Sequence, residues 1–202
     1  MTEPLKTIAI ADDQESLVAL LRAIVTAAGY TCVGSASNGL EAVDLVRRTH
    51  PNVLLMDFHM PVLDGLEALK QIVTFATTAV VILTGDPDPV LGRKALDAGA
   101  CGYMLKPFET NQIASTIESA WHRFQTVATL QLKAKNLDEA LELRKLTERA
   151  KGILMEQQGF GEEESHRCLM KMSQDQGIPL KDVCRSVIQV RMVLGKKSKR
   201  NA

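Results

Sequence analysis

Five short apolar runs rich in Val, Ile and Leu divide the first 120 residues of this 202-residue chain at nearly regular intervals. They cover residues 6–11, 30–36, 53–57, 79–84 and 101–105. A stretch with the apolar periodicity of an amphipathic helix follows each of them. Strands that alternate with helices of this length indicate βαβ units and therefore a parallel sheet. We predict an α/β fold over residues 1–120, with a doubly wound, five-stranded parallel sheet.

Four of the predicted strands end at side chains that suit phosphoryl chemistry. These residues are Asp12, Asp13, Asp57, Thr84 and Lys106. The carboxyl ends of parallel strands share one edge of a sheet, and ligands bind there in open α/β folds. Carboxylates can hold Mg²⁺, an ammonium binds a phosphate oxygen, and an aspartate can form an aspartyl phosphate. The pattern predicts a phosphorylatable switch that uses Mg²⁺, with Asp57 as the nucleophile because it stands alone after the third strand.

The sequence around these residues resembles the receiver domain of two-component response regulators. The matching blocks are MDFHMPVLDG around Asp57, ILTG at Thr84 and YMLKPF at Lys106. The resemblance implies a flavodoxin- or CheY-like fold and a sensor histidine kinase that phosphorylates Asp57 with help from Thr84 and Lys106. It also implies a cis peptide bond between Lys106 and Pro107, and a conformational switch pair formed by Thr84 and Tyr103.

The same resemblance implies a set of ligands for Mg²⁺. In that set Asp13, Asp57 and the backbone carbonyl of His59 bind the ion, and Asp12 acts largely through water. The side chain of His59 is expected to be solvated beside the site. Because the domain transfers a phosphoryl group only to and from itself, we expect a signalling protein and not an enzyme.

A helical segment without Pro follows the predicted sheet. Val127, Ala134 and Leu141 recur every seven residues, and Leu130 and Leu137 lie between them at the spacing of a coiled coil. The repeat is short, because arginines interrupt it at both ends. We predict a helical, coiled-coil-like linker over residues 121–145. It either pairs with a second copy in a homodimer or packs on its own chain.

Three further helical segments separated by turn residues predict a small three-helix bundle over residues 146–195, with a basic tail at 196–202. The charge changes sign along the chain. Residues 1–120 carry 8 Lys and Arg against 14 Asp and Glu, a formal charge of −6. Residues 139–202 carry 13 against 9, a formal charge of +4. This asymmetry indicates separate partners for the two halves.

The bundle resembles the ANTAR domain of transcription antiterminators, most closely in the block ERAKGILM at 148–155. The resemblance implies binding to paired hairpin loops in nascent RNA. The cations available for phosphate are Arg149, Lys151, Arg167, Lys171, Lys181, Arg185 and Arg191. Gly152 completes the set of candidate RNA-binding residues. The sequence departs from the family pattern at His166 and at the turn Gly177-Ile178-Pro179.

The sequence therefore predicts a phosphorylation-dependent response regulator that binds RNA hairpins and prevents transcription termination. We expect a homodimer at least in the phosphorylated state. The chain shows neither a signal peptide nor an apolar run long enough for a membrane span, so we expect a cytoplasmic protein. Two alternatives stay open: a DNA-binding response regulator, and a receiver whose C-terminal bundle serves only dimerisation or protein interaction.

Overall fold

A computed structural model describes residues 6–198 of the chain, with side chains for residues 6–191. Its single sheet contains five parallel strands in the order β2-β1-β3-β4-β5. The strands are β1 Thr7–Ala11, β2 Thr31–Ala36, β3 Val53–Asp57, β4 Ala79–Thr84 and β5 Gly102–Leu105. The predicted α/β fold is confirmed, and each strand lies within one residue of its predicted bounds.

Seven helices accompany the sheet. They are α1 Glu15–Ala27, α2 Gly39–Thr49, α3 Gly65–Phe75, α4 Pro89–Asp97, α5 Thr110–Gln158, α6 Glu162–Gln176 and α7 Leu180–Ser198. Helix α7 extends three residues into the predicted basic tail, because no Gly or Pro interrupts it there, and residues 199–202 lie outside the described residues. No helix among the described residues is both long and apolar enough to cross a membrane.

The central strands are buried on both faces, as parallel sheets require. Leu54 and Met56 point into an apolar layer shared with α2, α3 and α4. Ile8, Ile10 and Leu55 point into the opposite layer, which α1 and the beginning of α5 complete. The strand order reverses between β1 and β3, so their carboxyl ends form the crevice where doubly wound folds bind ligands.

Side-chain caps fix the beginnings of three helices around the sheet. Asn38, Asp64 and Asp88 each accept a hydrogen bond from a backbone N–H in the first turn of α2, α3 and α4, respectively. Such caps satisfy amides that have no partner within the helix and stabilise the helix by about 1 kcal/mol each. They fix where the loops from the sheet end and the helices begin.

The chain divides into two compact units, residues 1–129 and 130–202. In the second unit, α6 and α7 pack with the C-terminal part of α5 around a small apolar core. Ala150, Ile153, Leu169, Val183 and Ile188 are buried in it. The three-helix bundle predicted from the sequence thus takes its first helix from the end of α5.

Gly65 supports the loop that carries Asp57, and its replacement tests this part of the fold. A Cβ at Gly65 would lie 2.3 Å from the carbonyl oxygen of Asp57 and 3.0 Å from Cα of Phe58. Because backbone atoms must move to admit it, Gly65→Ala is expected to lower the free energy of unfolding by about 1–3 kcal/mol. Urea unfolding followed by the fluorescence of Trp121, the single tryptophan, reports on this unit.

Gly85→Ala is the matched control. Nothing lies within 4 Å of a Cβ at Gly85, so this variant should unfold at the wild-type urea concentration or slightly above it. Equal unfolding midpoints for the two variants would show that the close approach at Gly65 does not constrain the loop.

Candidate functional site

The ammonium of Lys106 joins two buried carboxylates at the crevice between β1 and β3. Its Nζ lies 2.7 Å from Oδ2 of Asp12 and 2.5 Å from Oδ1 of Asp57. Asp12 is 1% exposed and Asp57 5% exposed. Like charges this close would otherwise repel each other strongly at low local dielectric. The lysine thus holds together the two acids that the sequence placed at one edge of the sheet.

Backbone amides hold the other oxygen of each carboxylate. The N–H of Gln14 donates to Oδ1 of Asp12 over 2.9 Å, and the N–H of His59 donates to Oδ2 of Asp57 over 3.1 Å. Both bonds bridge residues two apart, the local pattern by which Asp side chains stabilise turns. Each carboxylate therefore has its orientation fixed by its own loop before any ligand binds.

The site keeps a charged lysine and an aspartate that is easier to protonate than usual. Burial raises the pKa of the Asp57 carboxyl, although the hydrogen bond and charge of Lys106 act in the opposite direction. Burial disfavours the ammonium, but hydrogen bonds to Asp12 and Asp57 and their charges outweigh burial and raise the pKa of Lys106. Lys106 therefore carries its positive charge at neutral pH.

The remaining predicted residues lie at the ends of β1, β3 and β4 or in the loops that follow them. Asp13 follows Asp12 and is exposed, as is the side chain of His59. Thr84 is buried at the end of β4, where its Oγ1 accepts a hydrogen bond from the N–H of Asp86 over 3.1 Å. The hydroxyl therefore lies at the correct sheet edge with its proton still available for donation.

Two further expectations concern β5 and the loop after it. The peptide bond between Lys106 and Pro107 is cis, as predicted. Tyr103 lies on β5 opposite Ile82 and is half exposed, so its ring points away from the core in this structure.

In the second unit, Lys151 occupies a structural position. It is only 7% exposed, and its Nζ lies 2.8 Å from carboxylate oxygens of both Glu148 and Glu162. The pair with Glu162 connects α5 to the first turn of α6, where acidic residues also suit the helix N-terminus, and the pair with Glu148 lies within α5. We assign Lys151 to the packing of the bundle, because its charge is already neutralised by two partners.

Three more of the candidate cations are paired with acids. Lys181 and Arg185 share the carboxylate of Glu142, at 2.8 and 3.0 Å. Arg191 pairs with Glu156 at 2.5 Å. Charges engaged in this way are less available to a phosphate, since the acid must be displaced before a new contact forms.

The other candidates remain accessible. Arg149, Arg167 and Lys171 are exposed and form no salt bridge with any residue between 6 and 191. Gly152 is exposed on α5, and nothing lies within 4 Å of a Cβ placed on it. The bundle thus presents a smaller set of free cations than its sequence suggests.

Comparison with family models identifies both units. The model described as "Response regulator receiver domain" matches residues 8–118, and the model described as "ANTAR domain" matches residues 135–188. The chain belongs to the ANTAR response regulators. It is 33% identical to the "Transcriptional regulatory protein PdtaR" of Mycobacterium tuberculosis, over 91% of this chain and 90% of that protein.

Solved structures match the receiver domain. A "DNA-binding response regulator, LuxR family" from Staphylococcus aureus is 28% identical, with a TM-score of 0.55 over 58% of this chain and 99% of that one. The "response regulator domain of Thermotoga maritima CheB" is 29% identical, with a TM-score of 0.54 over 59% of this chain and 98% of that one. The match to receiver domains identifies the chain as a signalling protein.

Receiver domains generally bind Mg²⁺ in an acidic pocket, and the donors of this receiver fit that ion. Asp12 and Asp57 present oxygen ligands in one crevice, and Mg²⁺ is commonly held by one or two carboxylates together with waters and phosphate. No group of three or more His, Cys, Asp or Glu side chains converges as a metal site within the described part of the chain. Lys106 contacts one oxygen of each carboxylate, so Mg²⁺ bound to these acids would compete with the ammonium.

The acidic partners of the ANTAR cations were not predicted from the sequence. Glu148 precedes Lys151 by three residues on one helix, a spacing that pairs opposite charges and was visible in the sequence. Glu142 and Glu162 act across helices, and only the packing of α5 with α6 and α7 brings them to their partners. Four of the candidate RNA-binding cations therefore have acidic partners within the protein, and their role in RNA binding stays a prediction.

Competition between Lys106 and Mg²⁺ predicts that removing the lysine strengthens metal binding. Lys106→Ala leaves two facing carboxylates whose repulsion a divalent cation relieves. Mg²⁺ affinity in titration calorimetry is expected to rise about tenfold, on the scale of one charge-assisted hydrogen bond of ~1.5 kcal/mol.

Lys70→Ala is the control, because Lys70 is exposed and pairs only with its neighbour Glu67. This variant should bind Mg²⁺ like the wild type. Unchanged or weaker binding in Lys106→Ala would mean that the lysine and the metal do not use the same carboxylates.

Proposed function

We propose that this response regulator binds hairpin RNA in nascent transcripts under the control of phosphorylation at Asp57, and so prevents transcription termination. The observation that carries the proposal is the Asp12–Lys106–Asp57 cluster in a chain whose second domain matches the ANTAR model. The cluster provides a nucleophile and a positive charge for a phosphoryl group. The ANTAR match supports RNA as the ligand of the second domain.

Phosphoryl transfer would proceed from the phosphohistidine of a sensor histidine kinase. A carboxylate oxygen of Asp57 attacks phosphorus, the oxygen–phosphorus bond forms, and the phosphorus–nitrogen bond breaks as imidazole leaves with its electron pair. Lys106 already contacts Asp57 and would bind an oxygen of the transferred group, while Thr84 donates its hydroxyl proton to another. Asp57, Asp13 and the His59 carbonyl would hold Mg²⁺, with Asp12 acting largely through water, and the ion would neutralise charge on the phosphoryl oxygens.

RNA binding would rest on the cations that the bundle leaves free. Arg149, Arg167 and Lys171 can each neutralise a phosphate without first leaving an acidic partner among the described residues. Gly152 offers a position where another backbone can approach α5 without meeting a side chain. Lys181 and Arg185 would contribute less, because Glu142 already neutralises them.

Homodimerisation through α5 would bring two bundles to two hairpins. Residues 125–142 are all exposed, yet Val127, Leu130, Leu137 and Leu141 form a heptad stripe together with Ala134. A stripe of this kind is normally buried against another helix. A second copy fits best, because the same stripe then faces itself.

The charges beside the stripe favour a parallel pair of helices. With Val127 as an a position, Lys133 occupies g and Asp138 occupies the e position that faces it on the second helix. A parallel dimer therefore gains two such pairs of opposite charge. In an antiparallel pair, g positions face g positions and this pairing does not form.

Phosphorylation is expected to increase RNA affinity. Binding of a two-hairpin RNA should tighten about tenfold when beryllofluoride and Mg²⁺ occupy the receiver, which corresponds to ~1.4 kcal/mol of coupling. Asp57→Ala should abolish this response. Fluorescence anisotropy across a salt series, with duplex DNA as competitor, separates the outcomes.

Two outcomes would contradict the proposal: RNA binding that ignores beryllofluoride, and binding that duplex DNA displaces as well as hairpin RNA does. Lys171→Ala and Lys181→Ala form a matched pair of lysine variants in the same assay. Lys171→Ala should weaken binding and reduce the salt slope by about 1, whereas Lys181→Ala should have a smaller effect. The reverse order would place the RNA on the face of α7.

Dimerisation is tested by two leucines of nearly equal exposure. Leu137 is 64% exposed and lies in the stripe, whereas Leu132 is 60% exposed and lies outside it. Leu137→Ala should shift the beryllofluoride-bound protein from dimer to monomer in analytical ultracentrifugation, and Leu132→Ala should not. Lys133→Glu should weaken the dimer, and adding Asp138→Lys should restore it, only if the helices are parallel and in register.

A further inference from the structure

Gly92 is an unexpected residue inside helix α4. A glycine in a helix interior costs about 1 kcal/mol relative to alanine, so a structural reason is expected. A Cβ at Gly92 would lie 3.0 Å from Cζ and 3.1 Å from both Cε1 and Cε2 of Tyr103. The three nearest atoms thus all belong to one aromatic ring. The ring covers the Cα of Gly92 so closely that a methyl group would push against it.

The ring of Tyr103 packs against Gly92. The side chain is 48% exposed, and its hydroxyl forms no hydrogen bond with any of the residues 6–191. No polar contact within those residues therefore determines the position of the ring. Gly92 itself is buried beneath it.

Tyr103 also lies close to the phosphoacceptor site along the sheet. It pairs with Ile82 on β4, two residues before Thr84, whose hydroxyl accepts its hydrogen bond from Asp86. Tyr103, whose ring packs on α4, and Thr84, whose hydroxyl lies at the site, therefore belong to adjoining strands of one sheet. Thr84 itself pairs with Leu105, which lies two residues after Tyr103 on β5.

We propose that Gly92 is a positioning residue that seats the Tyr103 ring in the unphosphorylated receiver, so that the missing side chain at this position sets how readily the domain responds. The inference rests on the proposed phosphorylation of Asp57. We call the position of the Tyr103 ring against Gly92 the seat. If the ring occupies the seat only in the unphosphorylated state, a phosphoryl group on Asp57 must favour a state in which the ring has left it. Linkage then requires that filling the seat raises the affinity of Asp57 for a phosphoryl mimic.

The chain contains only two tyrosines, which makes the seat directly observable. Full-length protein labelled with 3-fluorotyrosine should give two ¹⁹F resonances. Tyr30 donates its hydroxyl to Glu118 over 2.7 Å and serves as the internal reference for folding. In Gly92→Ala, the Tyr103 resonance should move toward its beryllofluoride-bound position before any beryllofluoride is added. The Tyr30 resonance should stay in place.

The affinity for beryllofluoride is the second measurement. Gly92→Ala should raise it about 3–10-fold, a modest shift of a two-state population. Gly92→Ser adds the same Cβ with a lower helix propensity than alanine, so it separates the steric effect from stabilisation of α4. If both variants raise the affinity, the Cβ is responsible. A rise in Gly92→Ala alone would overturn the proposal.

A double-mutant cycle shows whether Gly92 acts through the ring. In a Tyr103→Ala background, Gly92→Ala should leave the affinity for beryllofluoride unchanged. A gain that persists without the ring would overturn the proposal, as would a Tyr103 resonance that does not move in Gly92→Ala.

Different results would refute the proposed phosphorylation and the proposed role of Gly92. Wild-type protein that does not bind beryllofluoride would refute phosphorylation at Asp57 and the regulatory role of the seat with it. Binding of beryllofluoride together with an unmoved Tyr103 resonance would refute the seat alone.

Discussion

The bridge from Lys106 to Asp12 and Asp57 is the interaction on which the receiver site depends. The fold brings two carboxylates to the crevice between β1 and β3, where the strand order reverses. Without a cation their charges would repel each other there. Lys106 supplies that cation from the end of β5, on the far edge of the sheet order. Three strands are thereby tied together at their carboxyl ends by charge. The proposed phosphoryl group on Asp57 would therefore alter the balance of charge that joins these strand ends.

In the ANTAR domain, ion pairs within the protein reduce the number of cations that remain free for a ligand. Its basic residues include four that acids of the same domain neutralise, and Lys151 is buried among them. Three of these pairs, with Glu142 and Glu162, join α5 to α6 and α7 at the edge of the apolar core. Most are exposed pairs that contribute little to stability individually. Because these pairs engage four of the cations, the free cations occupy particular positions and do not form a uniform basic surface.

The sequence predicted the receiver more completely than the ANTAR surface, and the reason is physical. Strand ends in a parallel sheet share one edge, so Asp12, Asp57 and Lys106 could be placed together from their positions alone. No comparable rule places the partners of side chains on packed helices. Pairs such as Lys181 with Glu142 join residues far apart in sequence and depend on how the helices cross. The contact of Gly92 with Tyr103 was equally hidden, because it joins α4 to β5 without a motif.

The exposed leucines of α5 and the glycine inside α4 pose the same physical question, namely what compensates a locally unfavourable residue. Leucines exposed to water and a glycine in a helix interior are each unfavourable when the helix is considered alone. Each cost is explained if the surface has a second state. For α5 the proposed second state is a helix pair, in which Ala134 at a central core position would keep the association weak. For α4 it is the departure of the Tyr103 ring. A regulator needs both costs to be small, because a bias of ~1–3 kcal/mol from one phosphoryl group must be able to reverse them.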